Sequence, residues 1–135
     1  MNVEMVRGAI GMASLTVRAS DTSVAQALND LPILATPTLI NILEGATSAA
    51  LAEHLESGET TITSEISVAT SAAVGVGAEI RANATCIDIE GQIIHFNVEV
   101  HHGSKLVASG KISRKIVDRV SFTARIAAEY ITARD

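Results

Sequence analysis

Tryptophan is absent from this 135-residue chain, and Phe96, Phe122 and Tyr130 are its only aromatic residues. The stacking platforms on which single-stranded RNA or DNA is usually held are therefore missing. Ten Lys plus Arg stand against fifteen Asp plus Glu, for a net charge of −5. That is the wrong sign for neutralising many phosphates, so nucleic acid is not an expected partner. The lone Cys86 cannot form an internal disulfide, and no Cys or His spacing suits zinc, so neither a metal nor a cofactor is expected. A reducing cytoplasm fits such a chain. No run approaches the roughly 20 apolar residues of a membrane span. Residues 1–20 also lack the basic start and apolar run of a secretory signal. With 2 Pro, 9 Gly and no internal repeat, the chain does not read as a collagen-like or low-complexity segment.

What is present is aliphatic: 47% of residues are hydrophobic and 19% charged, which predicts one domain over residues 1–135 with a core of Ile, Val, Leu and Ala. Residues 13–19, ASLTVRA, alternate like a strand, and Ser20-Asp21-Thr22 reads as a turn or helix start. In LATPTLINILEGATSAALAEHL, Thr36 before Pro37 signals a helix start, with Thr36 as the cap. Leu39, Leu43, Ala46 and Ala50 form one row and Ile40, Leu51 and Leu55 a neighbouring one, so a central helix over about 37–55 is apolar around much of its girth.

Beyond Ser57-Gly58 the period drops to two, predicting four strands over about 60–117. The first sets Ile62, Ser64, Ile66, Val68 and Thr70 against Thr61, Thr63, Glu65 and Ser67. The second runs from Val76 to Cys86, the third alternates Ile94, Phe96, Val98 and Val100 with polar residues, and the fourth carries Leu106, Ala108, Gly110, Ile112 and Ile116 on one side. Turn residues at 88–91 and 102–105 make the last three a meander. Such a sheet has one apolar face to cover. The economical α+β solution is a curved antiparallel sheet wrapped around the helix. A terminal helix over about 121–133 is expected to pack through Phe122, Ile126, Ala127 and Tyr130.

A helix rolled in a sheet is the hot-dog architecture, and residues 35–117 resemble the hot-dog thioesterases typified by fluoroacetyl-CoA thioesterase. The similar features are Ala35-Thr36, Glu44 eight positions on, HLESGETT, Gly77, Ile89-Glu90-Gly91 and the last strand with Gly110. In that family a Thr before the central helix, a Glu within it and a His on the next strand form the catalytic set. The resemblance assigns the first two to Thr36 and Glu44. Carrying the register forward places the family's His at Thr70, and a family Gly at Thr63. Thr63, Ser64, Thr70 and Gly77 are then the expected substrate-binding positions. Hot-dog sites usually lie between subunits, so the resemblance also puts Glu44 of one chain near the second strand of another, in a homodimer or dimer of dimers. The uncovered edge of a single sheet points the same way.

Glu44 shares a helix row with Ile40, Leu51 and Leu55, so its carboxylate is expected to be shielded from bulk water. Shielding of that kind readies a carboxylate to take and return a proton. The structural alternative is a Glu at the edge of the stripe reaching solvent. Thr36 can cap the helix, orient a thioester, or do both, because a helix N-terminus favours developing negative charge. Thr70 can hydrogen-bond substrate but cannot replace imidazole. His95, His101 and His102 are expected at the surface, and His54 near the helix end. Arg81, Lys105, Lys111, Arg114 and Lys115 are cations that could meet coenzyme A phosphates or simply protect strand edges. The sequence thus predicts hydrolysis of a small or medium acyl-CoA by a helix carboxylate. The alternative is an acyl-CoA or small-ligand binder that keeps the fold without catalysis. No bulky aromatic gate for a fluorinated acyl group is evident.

Overall fold

The computed structural model describes residues 1–134. Chain order is α1 (Val3–Val6), β1 (Ile10–Thr16), a 3-10 turn (Ala19–Asp21), α2 (Thr36–Leu51), β2 (Glu59–Thr70), β3 (Glu79–Glu90), β4 (Ile93–His102), β5 (Lys105–Asp118) and α3 (Arg119–Arg134). All five strands join one antiparallel sheet in the order β1-β3-β4-β5-β2. The expected meander is β3-β4-β5, and β1 and β2 are the two edges.

The sheet curls around α2, as the sequence requires of its apolar girth. Leu39, Leu43, Ala46, Thr47, Ala50 and Leu51 are buried on the helix. They meet Ile80, Ala82, Ala84 and Cys86 of β3, Ile94, Phe96, Val98 and Val100 of β4, and Ala108 and Ile112 of β5 in one continuous core. Phe96, the one fully buried aromatic, lies at the middle of this face, opposite Cys86 on one side and Ile112 on the other. The helix approaches β1 so closely that a Cβ on Gly11 would stand 2.0 Å from the Ala46 carbonyl oxygen and 2.3 Å from the Ala50 nitrogen.

Three register shifts bend the strands. Between β2 and β5 the pairing steps from Thr63↔Arg114 to Glu65↔Ser113, so Ser64 is an extra residue. Ile87 is extra in β3 and Val107 in β5. Bulges of this kind increase local twist and bend a sheet toward closure. They also invert the faces expected from a strict period of two. Thr61 and Thr63 lie opposite Ile116 and Arg114, and Ile66, Val68 and Thr70 opposite Ile112, Gly110 and Ala108, so all five share the inward face. Likewise Leu106, expected inside, is exposed, and Val107 is buried in its place.

Other boundaries move for local reasons. β1 ends at Thr16 rather than 19, because the chain turns there into the 3-10 segment. α2 stops at Leu51 instead of 55, where Ala52 and His54 bond three residues back to Ala49 and Leu51 and tighten the chain out of the helix. β3 begins at Glu79 instead of Val76, because Gly77 holds φ +91° in a turn pinned by Gly77 N–H to Val17 O at 2.8 Å. α3 starts at Arg119 because the Asp118 carboxylate accepts from both the backbone and hydroxyl of Ser121 at 2.9 Å, which holds that carboxyl below its ordinary range. The expected packing of α3 is not observed: Ile126 and Tyr130 are 50% and 64% exposed, with only Phe122 partly covered.

Gly11→Ala should destabilise the fold by about 1–3 kcal/mol or more, because backbone on both sides of the contact must shift. Urea denaturation measures this, and an unchanged midpoint would mean that α2 is not seated on β1.

Candidate active site

Glu44 lies midway along α2 and is partly buried. It lines a cavity of about 300 Å³ with Asn41, Gly45, Ser48, Thr63 and Arg114. The bulge at Ser64 turns Thr63 toward the helix, where its hydroxyl donates to Glu44 Oε1. Ser64 itself is exposed and its Oγ bonds the Ser113 carbonyl at 3.2 Å, so it closes the bulge.

Arg114 completes this cluster from β5. Its Nε donates to Thr61 Oγ1 at 2.8 Å, Nη2 to the Thr61 carbonyl at 3.2 Å, and Nη1 to Thr47 Oγ1 and Thr63 Oγ1 at 3.3 and 3.4 Å. Thr47, fully buried, donates in turn to the Glu44 carbonyl at 2.7 Å. Burial pulls the Arg114 guanidinium below its ordinary range, and the Glu44 charge acts in the opposite direction. A cation and a carboxylate thus face one another through a hydroxyl at the rim of an apolar core. Sequence reasoning had set Arg114 among cations for coenzyme A phosphates. The signal for an inward position was its place in the run Ala108, Gly110, Ile112, Arg114, Ile116, where it is the one charged residue.

Thr36 and Thr70 are brought together elsewhere. They line a second cavity of about 330 Å³, walled by Leu34, Leu39, Val74 and Val107. Eight residues of helix separate Thr36 from Glu44, an axial distance of about 12 Å, and the two residues line different cavities. Nor does Thr36 cap α2. Its backbone is already helical, Ala35 occupies the N-cap without a side-chain bond, and the Thr36 hydroxyl has no partner among the described residues. Gly77 lines neither cavity. A larger hollow, about 560 Å³, opens beside Ser14, Thr16, Arg81 and His101 and is lined by none of these residues.

The histidines do not enter either cavity. His95 is partly buried between Ser113 Oγ, 2.7 Å from Nδ1, and Glu90, 3.0 Å from Nε2, and His101 faces Glu99 at 3.6 Å. No group of three or more potential metal ligands occurs among the described residues.

A curled antiparallel sheet around one apolar helix is the architecture that the resemblance implies, and comparison with known proteins agrees with that fold. Residues 13–120 match the family of fluoroacetyl-CoA-specific thioesterases. The chain belongs to this family. It is 28% identical over 94 residues to the fluoroacetyl-CoA thioesterase of Streptantibioticus cattleyicolor, covering 70% of this chain and 68% of that one. A solved structure of fluoroacetyl-CoA thioesterase FlK superposes with a TM-score of 0.83 at 23% identity, covering 90% of this chain and 95% of the other. A thioesterase-superfamily protein of Thermus thermophilus gives 0.84 at 23% identity, covering 94% and 96%. At these identities the structural likeness is one of fold, and that fold is the hot-dog. No helix among the described residues is long and apolar enough to cross a membrane.

Because its hydroxyl caps nothing, Thr36→Ala should change unfolding free energy by less than about 0.5 kcal/mol, against about 1 kcal/mol for loss of a capping Thr. Thermal and urea unfolding distinguish the two.

Proposed function

We propose that this member of the thioesterase family hydrolyses a small or medium acyl-CoA thioester, with Glu44 as the base that activates water. The observation that carries this reading is the partly buried Glu44 carboxylate, held by Thr63 in a cavity on the central helix. Asn41, Ser48 and Thr63 give that cavity hydrogen-bonding groups suited to a water molecule. In the proposed step, Glu44 takes a proton from water as the oxygen attacks the thioester carbonyl. The carbon–sulfur bond then breaks and the thiolate of coenzyme A recovers the proton. Because Thr36 stands about 12 Å along the helix from Glu44, this reading takes the cavity beside Thr36 and Thr70 from a second copy. There Leu34, Leu39, Val74 and Val107 suit the acyl group, and the helix N-terminus favours negative charge on the carbonyl oxygen.

Self-association belongs to the same reading. The outer edge of β2 is not paired within the chain, and Ile66 on that strand is 42% exposed. Thr63 of β2 lines one cavity and Thr70 the other, so two copies meeting at this edge would enclose both. The lone buried Cys86 suits the cytoplasm as the place of action.

A second reading, an acyl-CoA or small-ligand binder without turnover, is favoured by one observation: Thr70 stands where the family's His is expected, and neither cavity is lined by a histidine.

With a panel of short and medium acyl-CoAs, Glu44→Gln should lower kcat by about 100-fold or more, as loss of a general base does. Calorimetry separates the alternatives. Tight acyl-CoA binding by a protein with no turnover above Glu44→Gln supports the binder, and absence of both binding and turnover removes both readings. Light scattering should give at least a dimer, and a stable monomer would remove the shared site.

A further inference from the structure

We infer that Thr63 is the positioning residue of Glu44, relaying the charge of Arg114 to one carboxylate oxygen and leaving the other for the reaction. The role in the reaction rests on the reading that Glu44 is the base. The relay itself stands on geometry alone.

A threonine hydroxyl has one proton to give and two lone pairs with which to accept. A guanidinium only donates. Arg114 Nη1 stands 3.4 Å from Thr63 Oγ1, so in this pair the hydroxyl is the acceptor. The hydroxyl proton is then directed at Glu44 Oε1. The opposite sense would need a protonated Glu44 donating to Thr63, and the Thr63 proton would lose its carboxylate acceptor. The geometry therefore favours one direction, Arg114 to Thr63 to Glu44, with Glu44 as the charged acceptor.

Arg114 is itself fixed. Its remaining bonds go to the Thr61 hydroxyl and carbonyl and to Thr47, which is bonded back to the Glu44 carbonyl. Threonines 47, 61 and 63 thus form a cradle that keeps the guanidinium from swinging out to solvent. With Oε1 held by Thr63, Oε2 is the oxygen left to meet water. Orientation of a base by a third group is a general requirement of such sites. A glycine at position 63, as the family resemblance would place there, has no hydroxyl to supply it.

The test compares Thr63→Val, which keeps the β-branched shape, with Thr63→Ser, which keeps the hydroxyl. Carbon-13 NMR of the Glu44 side-chain carboxyl, assigned through its loss in Glu44→Gln, needs no turnover. The carboxyl chemical shift should move in Thr63→Val, because a bond to one oxygen is removed, and return toward wild type in Thr63→Ser. An unmoved chemical shift in Thr63→Val overturns the relay. In turnover of whichever acyl-CoA the wild type hydrolyses best, Thr63→Val should lower kcat by about 10- to 100-fold with KM within about twofold, and Thr63→Ser should recover the rate. Wild-type kcat in Thr63→Val would overturn the positioning role. If no acyl-CoA is hydrolysed by the wild type, the reading of Glu44 as a base fails, while the NMR signal still decides the relay.

Discussion

Covering α2 is the constraint from which the rest of this structure follows. A sixteen-residue helix with Leu39, Leu43, Ala46, Ala50 and Leu51 buried cannot be left against water, and a flat sheet would touch only a strip of it. The sheet therefore curls, with one extra residue in each of β2, β3 and β5, and on β1 it presents a glycine where helix backbone comes closest. Each extra residue costs a local ladder bond and gains bend. The bulge in β2 has a chemical consequence as well as a mechanical one. It turns Thr61 and Thr63 onto the same face as Ile66, Val68 and Thr70, so the strand that closes the curl also brings a hydroxyl to Glu44.

At that place a polar cluster interrupts an aliphatic core. Glu44 alone, half out of water, would be unfavourable as an anion, and Arg114 alone would be unfavourable as a cation. Together, linked by Thr63 and with Thr47 and Thr61 taking three further bonds from Arg114, neither is left unpaired. No buried side-chain nitrogen or oxygen among the described residues lacks a partner. Such a cluster is a weak contributor to stability compared with apolar side chains of the same volume, because desolvation offsets most of its attraction. In the function proposed above, chemistry accounts for its place on this helix.

Much of the architecture was legible because burial imposes periodicity. The helix, the four later strands and the meander follow from spacing, and the row Leu39, Leu43, Ala46, Ala50 is buried as read. The site was less legible, and one extra residue explains much of the loss. Period-two reading assigns faces correctly only until a bulge, and Ser64 looks like any strand residue in sequence, so Thr61 and Thr63 were placed on the wrong side. Val107 hid Leu106 in the same way. Thr36 before Pro37 is a sound capping signal, yet the helix begins at Thr36 itself, which frees the hydroxyl. In α3 apolar spacing survived but cover did not, because the chain leaves the sheet just before the helix starts.

Two departures from the family pattern then bear on each other. At position 70, where the resemblance implies an imidazole, the chain has a hydroxyl, which can hold a substrate oxygen but cannot exchange a proton near neutral pH. At position 63, where it implies a glycine, the chain has a hydroxyl that reaches the carboxylate. An imidazole could accept or return a proton, so in the function proposed above the acid–base work falls to the carboxylate. A carboxylate does that best when one oxygen is anchored and the charge opposite it is fixed. Thr63 and Arg114 meet both conditions, and both lie on strands flanking the bulge at Ser64. In this reading the two substitutions form one adjustment of a shared scaffold, with acid–base chemistry concentrated on the helix once the strand no longer supplies it.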